Sequence, residues 1–275
     1  MADGRLGVIS QPEHPNAMSF SDKVVVITGA ARGIGFALAE AFSGRGATLV
    51  LTDIDERVGA QSASTLGAHF ETLDVRDADS AKKVIAKIAE RYGTIDIWIN
   101  NAGVANHRPT VDVEPDEWEH AIGVMLSGAF FCARQVGLIM INQGGGCVIN
   151  IASVNGLLAQ KGRASYCSAK AGLIMLTKVL ASEWGEHGIR VNAVAPGIVK
   201  TDLAMHGIKR GIVNERDYLD RTPMGRWGEL SEIIEPILFL ANDDESSFVN
   251  GEVLQVDGGW TAYHLFHPLE ESLKV

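Results

Sequence analysis

Tyr166 and Lys170 stand four residues apart in the run A-S-Y-C-S-A-K, so a helix there puts a phenol and an ammonium on one face. Such a pair can move a proton at an oxygen. A tyrosine with its ordinary pKa near ~10 needs about 4 kcal/mol of preference for phenolate to titrate near ~7. One charge about 4 Å away gives only ~1 kcal/mol in bulk water, but ~4 kcal/mol at the effective dielectric of a half-closed site. The pair therefore works where water is largely excluded. Ser153 ends the run C-V-I-N-I-A-S, which reads as a strand giving way to a loop, and its hydroxyl can hold a substrate oxygen against Tyr166. The chemistry on offer is proton exchange with an alcohol or a carbonyl.

These three residues need elements to hold them and a redox partner to work with. The run V-V-V-I-T has apolar residues on both faces, as a central parallel strand requires, and it leads into T-G-A-A-R-G-I-G. There Gly29, Gly33 and Gly35, with Arg32 and Ile34 between them, precede a helical pattern. Glycine at such a turn permits positive φ and close backbone approach, and the free N–H groups of the helix start suit a pyrophosphate. The spacing is G-x-x-x-G-x-G and not the G-x-G-x-x-G dinucleotide fingerprint. The second strand ends at Asp53, whose carboxylate can bind a ribose diol and repel a 2′-phosphate, which favours NAD over NADP. Arg32 argues mildly the other way, because a guanidinium suits that phosphate. Asp74 and Val75 end the next strand and can edge an adenine ring. Asn101, Ala102 and Gly103 then form a small-residue loop where a cofactor can lie close.

Strand and helix alternate through six rounds, which predicts a single-domain, doubly wound Rossmann-type parallel sheet of about seven strands with helices on both faces. Expected helices include one from Asp116 to Asn142, one from Arg163 to about His187 and one from Ser231 to Leu240 with Pro236 near its first turns. Residues 1–21 read as an N-terminal extension, 22–260 as the dehydrogenase domain and 261–275 as a C-terminal tail. Within the domain, 202–228 is polar and weakly periodic, as a lid or substrate loop would be. At 275 residues and 46% hydrophobic content the chain can bury one large core. With 24 basic against 34 acidic residues, nucleic acid is excluded as a partner. Cys132, Cys147 and Cys167 form no C-x-x-C pair and read as buried thiols in a reducing, cytoplasmic setting. No apolar run reaches membrane-spanning length and no signal pattern opens the chain. His264, His267 and Glu270 lack a closed metal spacing, so no metal is expected.

On T-G-A-A-R-G-I-G, Asp53, D-V at Asp74, N-N-A-G, Ser153, Y-C-S-A-K, P-G at Pro196 and the terminal D-G-G, the chain resembles the short-chain dehydrogenase/reductase family over about Ser21 to Trp260. The resemblance implies that Tyr166 is the acid/base, that Lys170 lowers its pKa and holds the nicotinamide ribose, and that Ser153 orients the substrate. It places Pro196, Gly197, Val199 and Thr201 against the nicotinamide. One position departs. Where the family carries V-N-L-x-G, this chain has V-M-L-S-G; Met125 replaces an asparagine that in the family helps kink the helix and supports a water relay to the lysine.

The expected activity is NAD(H)-dependent interconversion of a secondary alcohol and its ketone. Asn155, Gln160, Lys161, Asn106, His107, Arg108, His206 and Lys209 are candidate pocket residues, a polar set that suits a polyol, sugar or hydroxy acid. The alternatives are an NADPH-dependent carbonyl reductase and a weakly active NAD(H)-binding regulator, the latter resting on Met125. The helices bearing Met125 and Tyr166 are apolar beyond what one sheet face needs, and similar family members pair through them, so a homotetramer or homodimer is expected.

Overall fold

The computed structural model describes residues 18–105, 107–201, 204, 205, 208 and 214–263. β1 (Val24–Thr28) is buried at every residue, as its apolar run with both faces covered requires. β2 (Thr48–Asp53), β3 (His69–Thr72), β4 (Ile97–Asn100), β5 (Gly146–Ile151), β6 (Ile189–Pro196) and β7 (Val253–Val256) complete a seven-stranded sheet. Its order is β3-β2-β1-β4-β5-β6-β7 and every neighbouring pair is parallel. The order reverses between β1 and β4, so a crevice opens beyond the carboxyl ends of those strands. This is the doubly wound architecture the sequence predicts.

Two apolar layers sandwich the sheet. On one face Val25 and Ile27 of β1 pack with Leu38 and Phe42 of α1 (Gly33–Ser43) and with Ile237 and Leu238 of a later helix, Leu230–Ala241. On the other, Val26 and Trp98 meet α3 (Ala78–Tyr92) and two long helices further along the chain. Between them α2 (Glu56–Leu66) starts at Asp55, whose side chain accepts from the Val58 N–H. α3 is capped likewise by Asp77 and closed by Gly93 at φ 79°.

Five features differ from the sequence reading. Phe20, assigned to the extension, is 2% exposed and stacks edge-on against Phe42 at 4.8 Å, so the folded body begins before residue 21. The long helix expected over Asp116–Asn142 is interrupted. It comprises α4 (Pro115–Ile122), a π-helical turn at Gly123–Ser127 and α5 (Gly128–Gln143). Taken together, Pro115–Gln143 is long and apolar enough to cross a membrane, contrary to expectation, yet Cys132, Ala133, Val136 and Met140 are buried against the sheet, the position of a core helix. After α6 (Ala164–Trp184), the 202–228 stretch contains α7 (Glu215–Arg221), and in α8 (Leu230–Ala241) Pro236 sits in the interior rather than the first turn.

Candidate active site

Tyr166 and Lys170 both lie on α6 and face a cleft of about 1050 Å³ at the carboxyl ends of the strands. Ser153, two residues past β5, lines the same cleft. Its hydroxyl accepts the Asn155 N–H at 3.1 Å, which fixes the side chain at the start of a short turn. Lys170 is 4% exposed, and its ammonium donates to the Ile151 carbonyl at 2.5 Å. Burial lowers its pKa to about 8. The ammonium lies 5.9 Å from the centre of the Tyr166 ring.

The phenol differs from expectation. Burial pushes the Tyr166 pKa above its ordinary value, against a lowering influence from the Ser153 hydroxyl and the Arg163 guanidinium. Lys170 is not the group that opposes burial here, because its charge is turned onto the Ile151 carbonyl. Met125, 1% exposed at the centre of the π turn, packs among Ala121, Ala169, Val104 and Tyr166. The helix is thus distorted without the side-chain amide.

The remaining predicted residues line the cleft in two groups. Gly29, Arg32, Gly33, Ile34, Asp53, Asp74 and Val75 form one end; Asn101, Ala102, Gly103, Pro196, Gly197, Val199 and Thr201 flank the middle. Gly29 has φ 63°, and a Cβ there would come within 2.8 Å of Ala102 Cα, so no other residue fits without displacing the loop. Gly33, at φ 61°, faces open space, leaving room for a ligand's phosphates at the start of α1. Gly35 stands apart. It is buried, off the cleft wall, where a Cβ would meet the Gly29 carbonyl at 2.4 Å; its part is packing of the turn. Asn101 donates to the Thr28 and Gly29 carbonyls at 2.9 and 3.0 Å and so ties its loop to the glycine turn. Asp53 accepts the Ala31 and Asp55 N–H groups, both at 3.0 Å, while Arg32 is paired with Asp55. Arg76 holds the Asp74 carboxyl below the usual range through a forked contact. These residues fit a dinucleotide: a glycine cradle, a diol acceptor and a floor of small side chains.

At the other end Asn155 donates to Gln160 at 2.8 Å, and Gln160 donates to the Tyr218 hydroxyl at 2.6 Å. Tyr218 on α7 stacks on Trp227 and packs against Trp260 at 6.1 and 5.7 Å. This aromatic wall escaped the sequence reading, because its members are scattered over 42 positions. So did Arg163, whose guanidinium lies 5.5 Å from the centre of the Tyr166 ring. His107 lines the cleft as expected. Lys161 is exposed off its wall, and Arg108 is drawn away to Glu117 at 3.0 Å. Asn106, His206, Lys209 and the tail residues His264, His267 and Glu270 lie outside the described residues. Among the described residues no metal-ligating cluster occurs.

A family model described as enoyl-(acyl carrier protein) reductase matches residues 29–261. Trans-4-hydroxycyclohexanecarboxylate dehydrogenase of Sinomonas cyclohexanicum is 39% identical, over 88% of this chain and 94% of that protein. A 3-oxoacyl-[acyl-carrier-protein] reductase of Thermotoga maritima is 38% identical, over 88% and 99%. Among solved structures, a gluconate 5-dehydrogenase from Burkholderia cenocepacia in complex with NADP and tartrate superposes with a TM-score of 0.83 at 36% identity, covering 90% of this chain and 98% of that one.

Proposed function

From the premise that the chain belongs to the short-chain dehydrogenase/reductase family of nicotinamide-dependent oxidoreductases, we propose that it interconverts a secondary alcohol and its ketone using NAD(H). The observation that carries this is the meeting of Tyr166, Lys170 and Ser153 in one cleft with the Gly29–Gly33 cradle. When bound, the nicotinamide supplies or accepts the hydride. The protein handles the proton. With its pKa raised by burial, Tyr166 holds its proton and can give it to a carbonyl oxygen. In the alcohol-oxidising direction it takes the hydroxyl proton, and Ser153 and Arg163 favour the phenolate that this requires. Lys170 keeps a positive charge under the ring and offers its N–H groups to the cofactor ribose. Pro196, Gly197, Val199 and Thr201 hold the nicotinamide, and Asn155 and Gln160 face the substrate.

The polar substrate wall favours a polyol, sugar or hydroxy acid. NAD is preferred because the Asp53 carboxylate at the end of β2 would accept from a ribose diol and repel a 2′-phosphate, and Arg32 is engaged by Asp55. NADPH-dependent ketone reduction is the second reading, drawn from the NADP complex of a solved relative. The third, a weakly active NAD(H)-binding regulator, rests on Met125. Unpaired thiols suit a reducing cytoplasm, and exposed apolar residues on α5 and α6 suit a homotetramer or homodimer. Oxidation of NADH and NADPH against a panel of ketoses and keto acids, and the reverse with polyols and hydroxy acids, tests the proposal. Turnover that Tyr166→Phe lowers at least a thousandfold is expected; turnover that survives this change removes the acid/base assignment, and binding of NAD without turnover favours the regulator.

A further inference from the structure

Among the described residues, the wall at the reacting end of the cleft carries two cations and no carboxylate. Arg163 and Lys170 are both on its wall. The carboxylates on that wall, Asp53, Asp55 and Asp74, stand together at the opposite end, where Arg32 and Arg76 pair with two of them. In a chain with ten more acidic than basic residues, two cations without an acidic partner among the described residues are unusual.

Lys170 has the Ile151 carbonyl. Arg163 has less. It is half-buried at the residue that precedes α6, its Nε is buried with no hydrogen-bond partner, and it forms no ion pair among the described residues. A buried N–H left unmatched is costly, and a guanidinium is built to hold a carboxylate by two parallel bonds. The neutral groups nearby do not compete for it, because Asn155, Gln160 and Tyr218 are already joined to one another.

Resting on the dehydrogenase reading, we propose that the substrate is a hydroxy acid or the corresponding keto acid, and that Arg163 binds its carboxylate while Tyr166 faces the reacting oxygen. Carboxylate and reacting carbon are then separated by a few bonds, since the guanidinium lies 5.5 Å from the centre of the phenol ring. The aromatic wall of Tyr218, Trp227 and Trp260 limits what lies beyond them. Arg163 is a specificity residue on this account, and its effect on the phenol is secondary.

The test is steady-state kinetics with trans-4-hydroxycyclohexanecarboxylate, gluconate and tartrate, each against its methyl ester, with NAD and NADP both supplied. Wild type should prefer at least one acid to its ester. Arg163→Gln should cut that preference in kcat/KM roughly tenfold to hundredfold, mainly through KM, and Arg163→Lys should restore part of it. Tm measurements on both variants show that they fold; if Arg163→Gln does not, Arg163→Lys alone must weaken the preference. Esters used as well as acids, or a preference indifferent to both variants, would overturn the inference while leaving the dehydrogenase reading intact. So would equal losses on acids and esters with a displaced pH profile, which would make Arg163 only a tuner of Tyr166. Failure to turn over any alcohol or ketone with either cofactor would remove both proposals together.

Discussion

Lys170 is an ammonium held in a nearly closed site, with its pKa lowered from 10.5 to about 8. Below about 8 both folded and unfolded chains carry the proton, and burial costs the fold on the order of 3 kcal/mol. Between about 8 and 10.5 the unfolded chain binds a proton that the native protein has released, so this group adds stability as pH rises. The Tm of wild type relative to Lys170→Met should therefore improve steadily across that range, and a difference that does not change with pH would show the amine to be solvated. Asp53 makes a second residue-scale prediction: Asp53→Ala should raise the NADP-to-NAD ratio of kcat/KM at least tenfold by removing the charge that meets a 2′-phosphate. Tyr166, Lys170, Ser153 and the glycine turn were legible in the sequence, because each depends on local spacing at a strand end or on one helix face. Arg163 was not. Its significance lies in a buried Nε with no partner among the described residues, which is a property of the folded neighbourhood.

The strands and helices were legible for the same reason that their layers are clear: β1, β4, β5 and β6 are mostly apolar and buried on both faces, and glycines close α2 and α3. The π turn at Gly123–Ser127 was not legible, since one extra residue in a turn leaves no mark on an apolar pattern running from Pro115 to Gln143. Met125→Asn places an amide in that turn; kcat should rise if proton relay to Lys170 passes there, and an unchanged kcat would place the relay elsewhere. Elements are also tied together by a buried polar chain that periodicity cannot reveal. Trp98 donates to Asn100, Asn100 to Asn150 and Asn150 to Thr177, at 2.7, 2.8 and 2.9 Å. This chain joins β4 and β5 to α6, the helix that carries Tyr166. Thr177→Val leaves the Asn150 amide without its acceptor and should cost ~1–3 kcal/mol in urea unfolding; a change under about 0.5 kcal/mol would mean another acceptor replaces it.

At the scale of the molecule, Phe130 and Leu138 on α5 and Met175 and Val179 on α6 are exposed, on the two helices expected to pair copies of the chain. Phe130→Glu together with Met175→Glu should shift sedimentation toward the monomer, and an unaltered assembly would move the contact to another face. Removing residues 262–275 should weaken the same assembly if the tail reaches a neighbour. The parallel, doubly wound sheet followed from alternation of elements, but the far wall of the cleft could not, because Tyr218, Trp227 and Trp260 meet only after the chain has closed on itself. That wall has an optical consequence. Two of the five tryptophans in the chain, Trp227 and Trp260, line that wall, linked through Tyr218 to Gln160, while Trp98 is sealed in the core with its indole N–H on Asn100. Occupancy of the cleft should thus register as a change in the emission of these two indoles over that of the other three, giving the protein a built-in signal of ligand binding that needs no added dye.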